Sequence, residues 1–252
     1  MSITSYPKVT TMGGGVGDYP YYIQVARGLV AGHKRLFKFG HNSVIQNVSE
    51  TIWDAGGVYV YPSTAVAMTV TSGAGATDNG VAITVQGLDS NYDEVSEEVT
   101  LASTGTATTT QTFLRVYRAF VSGSQAVTAN TTIANGGTTY AQINNGENQT
   151  LMALWTVPAG YTAYLLSTKI TAFTEQNNKV ATINVNARTE NGVFRTADKF
   201  DVFAAAITQE YTCPTPFPEK TDIEVRAIAT SSNADLRVAA GLDIIYIANT
   251  AP

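Results

Sequence analysis

The sequence predicts an all-β protein of two antiparallel β-sandwich or jelly-roll-like domains with an extended N-terminal arm. Three observations predict it. Apolar and polar residues alternate over residues 81–87, 94–101 and 109–121, and a period of two puts one face of a strand on a core. The runs are broken at Leu88-Asp89-Ser90-Asn91 and Ala102-Ser103-Thr104-Gly105, residue types that suit tight turns. Ala, Thr, Val and Gly dominate while long helix formers are scarce, which favours strands. The three runs read as one antiparallel meander.

The chain has 252 residues, enough for two β-domains of ordinary size or one elaborated one. Residues 1–20 read as an arm: Gly13-Gly14-Gly15 and Gly17 precede the aromatic cluster Tyr19-Pro20-Tyr21-Tyr22. A glycine-rich segment costs much entropy to order, so an aromatic cluster beside it fits docking on a partner. The other open reading has Tyr19, Tyr21 and Tyr22 starting the first strand and packing on the chain's own core. Residues 21–40 carry the one concentration of positive charge, including Arg27, Lys34, Arg35 and Lys38. They read as two short strands turning near Ala31-Gly32, with a basic edge that meets an acidic neighbour or is simply solvated. Trp53 caps a small core, with Gly56-Gly57 letting backbone pass close by.

Residues 65–80 give a strand and a loop whose Asp78-Asn79-Gly80 tip suits a hairpin, and the meander follows. Residues 122–150 are the least apolar stretch and mark the candidate boundary, with short strands around Ile133, Tyr140 and Ile143. From there, residues 151–157, a turn at Pro158-Ala159-Gly160 and residues 161–173 predict a hairpin. Further strands are expected over 179–190, 193–200, 202–211, 221–229 and 242–248. The segment Cys213-Pro214-Thr215-Pro216-Phe217-Pro218 cannot be a central strand, because proline lacks the ladder donor. The division taken is 1–40 for the arm and first strands, 41–135 for the meander domain, and 136–252 for a second sandwich.

Charged residues make up only 14% of the chain, against roughly 25% in ordinary domains. Such a surface suits a protein packed against copies or neighbours. A net charge of −5 gives no basic footprint for nucleic acid. The single cysteine, Cys213, excludes an intrachain disulfide framework and reads as a small buried or half-buried residue. The two histidines sit in no metal-ligand pattern. The first fifteen residues lack a basic region followed by an apolar core, so no export signal is expected. No apolar run reaches the roughly 18 residues of a membrane span. The acidic group Asp89, Asp93, Glu94, Glu97 and Glu98 fails calcium-loop spacing and reads as solvated turn and strand charges. No catalytic residue, cofactor or metal is expected.

Several segments carry a resemblance: Ile52-Trp53-Asp54-Ala55-Gly56-Gly57, Val85-Gln86-Gly87-Leu88-Asp89-Ser90 and Glu97-Glu98-Val99-Thr100-Leu101. Residues 110–119, the run from Trp155 to Tyr164 and the run from Pro216 to Ile223 add to them. Together they resemble structural proteins of tailed bacteriophages. The resemblance implies a virion protein without enzymatic activity, assembled in the host cytoplasm. Its implied role is a trimeric capsid decoration or cement protein on the major capsid protein. The alternative it leaves open is a tail, fibre or head-fibre component that binds another virion protein or a host receptor. Tyr19, Tyr21, Tyr22, Arg27, Lys34, Arg35 and Trp53 are the candidate interface residues.

Overall fold

The structure, a computed structural model, describes residues 19–174, 180–230 and 236–250. It opens with a short helix α1 (Tyr21–Ala26), followed by β1 (His33–Asn42), β2 (Glu50–Thr51) and β3 (Val66–Ser72). Next come β4 (Ala82–Leu88), β5 (Glu94–Thr100), β6 (Thr106–Phe113), β7 (Arg115–Val121), β8 (Thr131–Asn135) and β9 (Thr138–Ile143). The remaining strands are β10 (Leu154–Thr156), β11 (Tyr161–Phe173), β12 (Ala181–Arg188) and β13 (Arg195–Val202). They are followed by β14 (Ala206–Glu210), β15 (Pro216–Phe217), β16 (Asp222–Ala229) and β17 (Arg237–Ala248). The protein is all-β, built from antiparallel sheets that, among the described residues, form no closed barrel.

Among the described residues, four sheets make two sandwiches. In the first, β6-β3-β8-β9 faces β5-β4-β7, and the inward residues Met68, Val70, Ile83, Val85, Val116 and Ile133 fill one core. In the second, β1-β17-β11-β14, with β15 also on β11, faces β10-β16-β12-β13, with β2 on β16. Leu165, Ile170, Ile183, Val225, Leu242 and Ile244 lie in its core.

The chain order of the sandwiches differs from the sequence division. β1 pairs with β17 over ten residues, from His33↔Ile247 to Asn42↔Val238. The second sandwich therefore takes its edge strand from the start of the described chain, and the cut at residue 40 separates nothing. A cut at 135 would also sever the β8–β9 hairpin, which turns through Gly136 and Gly137 at positive φ.

Further expectations are corrected. Residues 21–26 are helical, not strand: Pro20 supplies the N-cap and Gly28, at φ +69, follows the C-cap Arg27, where a left-handed residue ends a helix cheaply. The run 109–121 is two strands, because it breaks at Leu114, whose N–H bonds Leu88 O at 2.7 Å. β6 joins β3 while β7 joins β4, so the meander divides between the two layers. The expected hairpins at 78–80 and 158–160 are likewise crossings between sheets: β3 and β4, and β10 and β11, share no ladder. Cys213 is exposed rather than half-buried.

Candidate functional site

The two sandwiches meet along a seam built on strand alternation. Ile52 enters the second core and Trp53 the first; Met152 and Leu154 enter the first, Ala153 and Trp155 the second. Successive side chains of a strand point to opposite faces, so these two segments serve as a wall shared by both cores. Ladder bonds tie them together: Ala153 N to Ile52 O at 2.8 Å, Ile52 N to Val225 O at 2.9 Å, and Val225 N to Ala153 O at 2.9 Å.

Beside this wall lies a clasp of charges. On β16, Ile223, Val225 and Ala227 face the core, so Asp222, Glu224 and Arg226 must share the opposite face. Asp222, 3% exposed, accepts from Arg115 Nε at 2.8 Å and Nη2 at 3.1 Å, crossing from the first sandwich to the second. It also accepts from Thr156 Oγ1 at 2.6 Å and Arg188 Nε at 2.9 Å. Arg115 Nη1 donates to Pro62 O and Leu114 O. Glu224 is fully buried; it pairs with Arg226 and accepts from Thr51 Oγ1 at 3.3 Å.

Aromatic rings roof these charges. Arg188 stacks on Tyr61 and Phe194 at 4.4 and 4.5 Å, Arg226 on Phe194 at 5.0 Å, and Arg115 on Tyr61 and Tyr92 at 5.1 and 5.5 Å. Burial pushes the Glu224 carboxyl and the Tyr61 phenol up, against the pull of nearby guanidiniums. For Arg115 burial works against the charge, but its bonds to Asp222 and that carboxylate's charge win and hold it above the usual range. A buried, multiply bonded ion cluster contributes more to one relative geometry of its elements than to net stability. Here the Arg115–Asp222 pair ties one sandwich to the other.

A second feature is the outer face of the β1 sheet. Phe37 and Phe39 are exposed and stacked, with ring centroids 5.9 Å apart. Phe37 lies across Gly241, where an added Cβ would sit 2.8 Å from its ring. Lys169 stands 5.3 Å over Phe37, and Arg237 stands 5.9 Å over the exposed Phe173.

The residues chosen from sequence spread over three places. Tyr19 and Tyr22 are exposed around α1, and Arg27 stacks on Tyr19 at 4.8 Å. Tyr21 turns inward, its hydroxyl 2.5 Å from His33 Nδ1. Lys34 pairs with Glu94 at 2.5 Å, and Arg35 with Asp243 at 2.9 Å. Trp53 is buried at 5% exposure in the first core, its Nε1 donating to Gly57 O; it is a core residue of the seam, not an outward contact. The other members of the arm, residues 1–18, lie outside the described residues. Sequence reasoning missed the clasp and the phenylalanine face. The alternation over residues 221–229 showed which residues share a face, but not what covers it.

No protein-family model matches the chain, and no curated protein matches it. Among solved structures, that of infectious bursal disease virus strain Gx aligns at 11% identity and a TM-score of 0.25, covering 86% of this chain and 72% of that one. T=1 particles derived from infectious bursal virus give 11% and 0.25, covering 88% and 71%. The VP2 subviral particle of infectious bursal disease virus gives 10% and 0.26, covering 88% and 74%. Likenesses this loose carry no functional argument.

Proposed function

We propose that this chain is a non-enzymatic structural protein of a virus particle, and specifically a capsid decoration or cement protein of a tailed phage. The observation that carries the reading is the open face of the β1 sheet. Stacked aromatics left in solvent beside cations are the surface a neighbouring subunit covers. The phage-like segments read from the sequence support it, and so does the low charge. In this role the protein acts passively. A trimer of rigid double sandwiches sits across junctions of the major capsid protein, in a particle assembled in the host cytoplasm, and resists their separation. Stable contacts bury about 1,200–2,000 Å² each, so several per subunit slow the opening of a shell.

Quantitative mass spectrometry of purified particles tests this. The reading expects hundreds of copies, and Phe37→Ser with Phe39→Ser lowers occupancy about tenfold, some 1.4 kcal/mol of contact energy, without lowering the melting temperature. A copy number of roughly a dozen or fewer, as in the closed low-order assemblies of a tail, overturns the cement role in favour of a tail or fibre component.

A further inference from the structure

Behind the clasp, a cleft opens between the β12–β13 hairpin and the turn leading into β16. It measures about 120 Å³ and its walls include Arg188, Arg195, Thr221, Val193, Phe217 and Pro218. A single water needs only about 10–15 Å³ of such space, so the cleft has room for a small organic group.

Three observations point to a negative charge as its content. Thr221 is 1% exposed, yet its hydroxyl has no hydrogen-bond partner among the described residues, an arrangement folded proteins avoid. The Arg195 guanidinium, at the mouth, makes no ion pair or hydrogen bond among the described residues, only its backbone pairing with Ala187, while the other guanidinium of the lining, Arg188, turns its Nε to Asp222. Finally, the clasp is unbalanced. Among the described residues, Arg115, Arg188 and Arg226 form ion pairs with Asp222 and Glu224 alone, and the neighbouring Lys220–Glu190 pair is neutral, so three positive charges against two negative ones leave an excess of one before Arg195 is counted. Apart from Thr189, the remaining side chains of the wall, Ala187, Val193, Phe217 and Pro218, are apolar, with Val193 73% exposed at the rim. A bare tetrahedral anion gains nothing from such a wall, whereas a carboxylate on a short carbon stem fits both halves, since a guanidinium fork matches a carboxylate in plane.

We propose that this cleft binds a short-chain aliphatic carboxylate, either free or presented as an acidic side chain by a second copy of this chain. Propionate is the probe, titrated into the full chain and followed by amide NMR shifts at Thr189, Gly192 and Thr221. Saturable shifts are expected at millimolar propionate, with at most weak, unsaturated shifts from sulfate at equal ionic strength. Arg195→Gln and Thr221→Val should each weaken binding at least fivefold. Thr221→Val should melt no lower than the parent, because the hydroxyl it removes bonds nothing among the described residues. Shifts that do not saturate, variants that bind propionate like the parent, or sulfate that binds as well as propionate would overturn the proposal. Sedimentation with and without saturating propionate separates the two sources: dissociation of an oligomer identifies the side chain of a second copy, and an unchanged boundary identifies a free carboxylate.

Discussion

Lys38 shows how far one residue departs from what its type suggests. It lies in a basic stretch of β1 that reads as a solvated edge, yet it is 5% exposed and its ammonium donates to Tyr117 O across the seam. Tyr117's ring lies 5.8 Å from the ammonium, and the Arg118 charge acts on it. Burial first, and repulsion from Arg118 second, lower its pKa from 10.5 to about 7. The unfolded chain therefore binds one more proton than the folded one between about pH 7 and 10.5. Stability must rise with pH across that window, by up to about 1.4 kcal/mol per pH unit; below it the charged form is carried at a constant penalty. Lys38→Met removes the ammonium while keeping an unbranched stem. It is expected to raise the urea midpoint at pH 6 and to flatten the pH profile above 7. A variant with the parent's slope would show that Lys38 is not the group responsible. The sequence could not reveal this, because alternation assigns Lys38 to a face and only the docking of β7 against β1 closes that face.

At the scale of elements, β1 is the piece that joins everything, and Gly40 is why it can. An added Cβ there would lie 2.2 Å from Ala153 N and 2.4 Å from Ile52 O, both backbone atoms of the shared wall. Elsewhere in a strand, replacing glycine by alanine gains a little stability. At Gly40 the sign reverses: Gly40→Ala should cost about 3 kcal/mol or more by forcing β1 off the seam. Gly123→Ala, whose Cβ would meet its nearest neighbour at an ordinary 3.6 Å, should stay near neutral. Urea unfolding of the two variants side by side makes the comparison. Elements of this kind were legible unevenly. The sequence signals of β4 and β5 were clear, since turn residues flank each alternating run. The break between β6 and β7 left no such mark, because Leu114 is neither a turn former nor polar. Residues 151–157 are nearly continuously apolar, the pattern of a strand covered on both faces, and that is the place where one strand feeds two cores.

At the scale of the molecule, the order of the chain and the order of the cores disagree. A boundary read from composition falls where polar residues gather, yet residues 122–150 hold β8 and β9, two strands of the first sandwich. Composition carries no trace of β1 leaving the start of the chain to pair with its end. Nor does it show Arg115 reaching Asp222 across 107 positions of sequence. The consequence is testable. Residues 151–252 on their own would leave β17 unpaired along the ten residues that β1 covers, and would empty the positions of Ile45 and Ile52, both fully buried in the second core. An edge of that length with a gapped core invites association rather than folding. The fragment is expected to aggregate or to lack a cooperative transition, and a peptide of residues 33–53 supplied in trans should restore β structure by circular dichroism. A chain beginning at residue 19 should instead unfold in one step, fluorescence of Trp53 in one core and Trp155 in the other reporting coincident midpoints. Independent folding of 151–252, or two separated midpoints, would mean the shared wall couples the sandwiches less tightly than its ladder and its buried charges require.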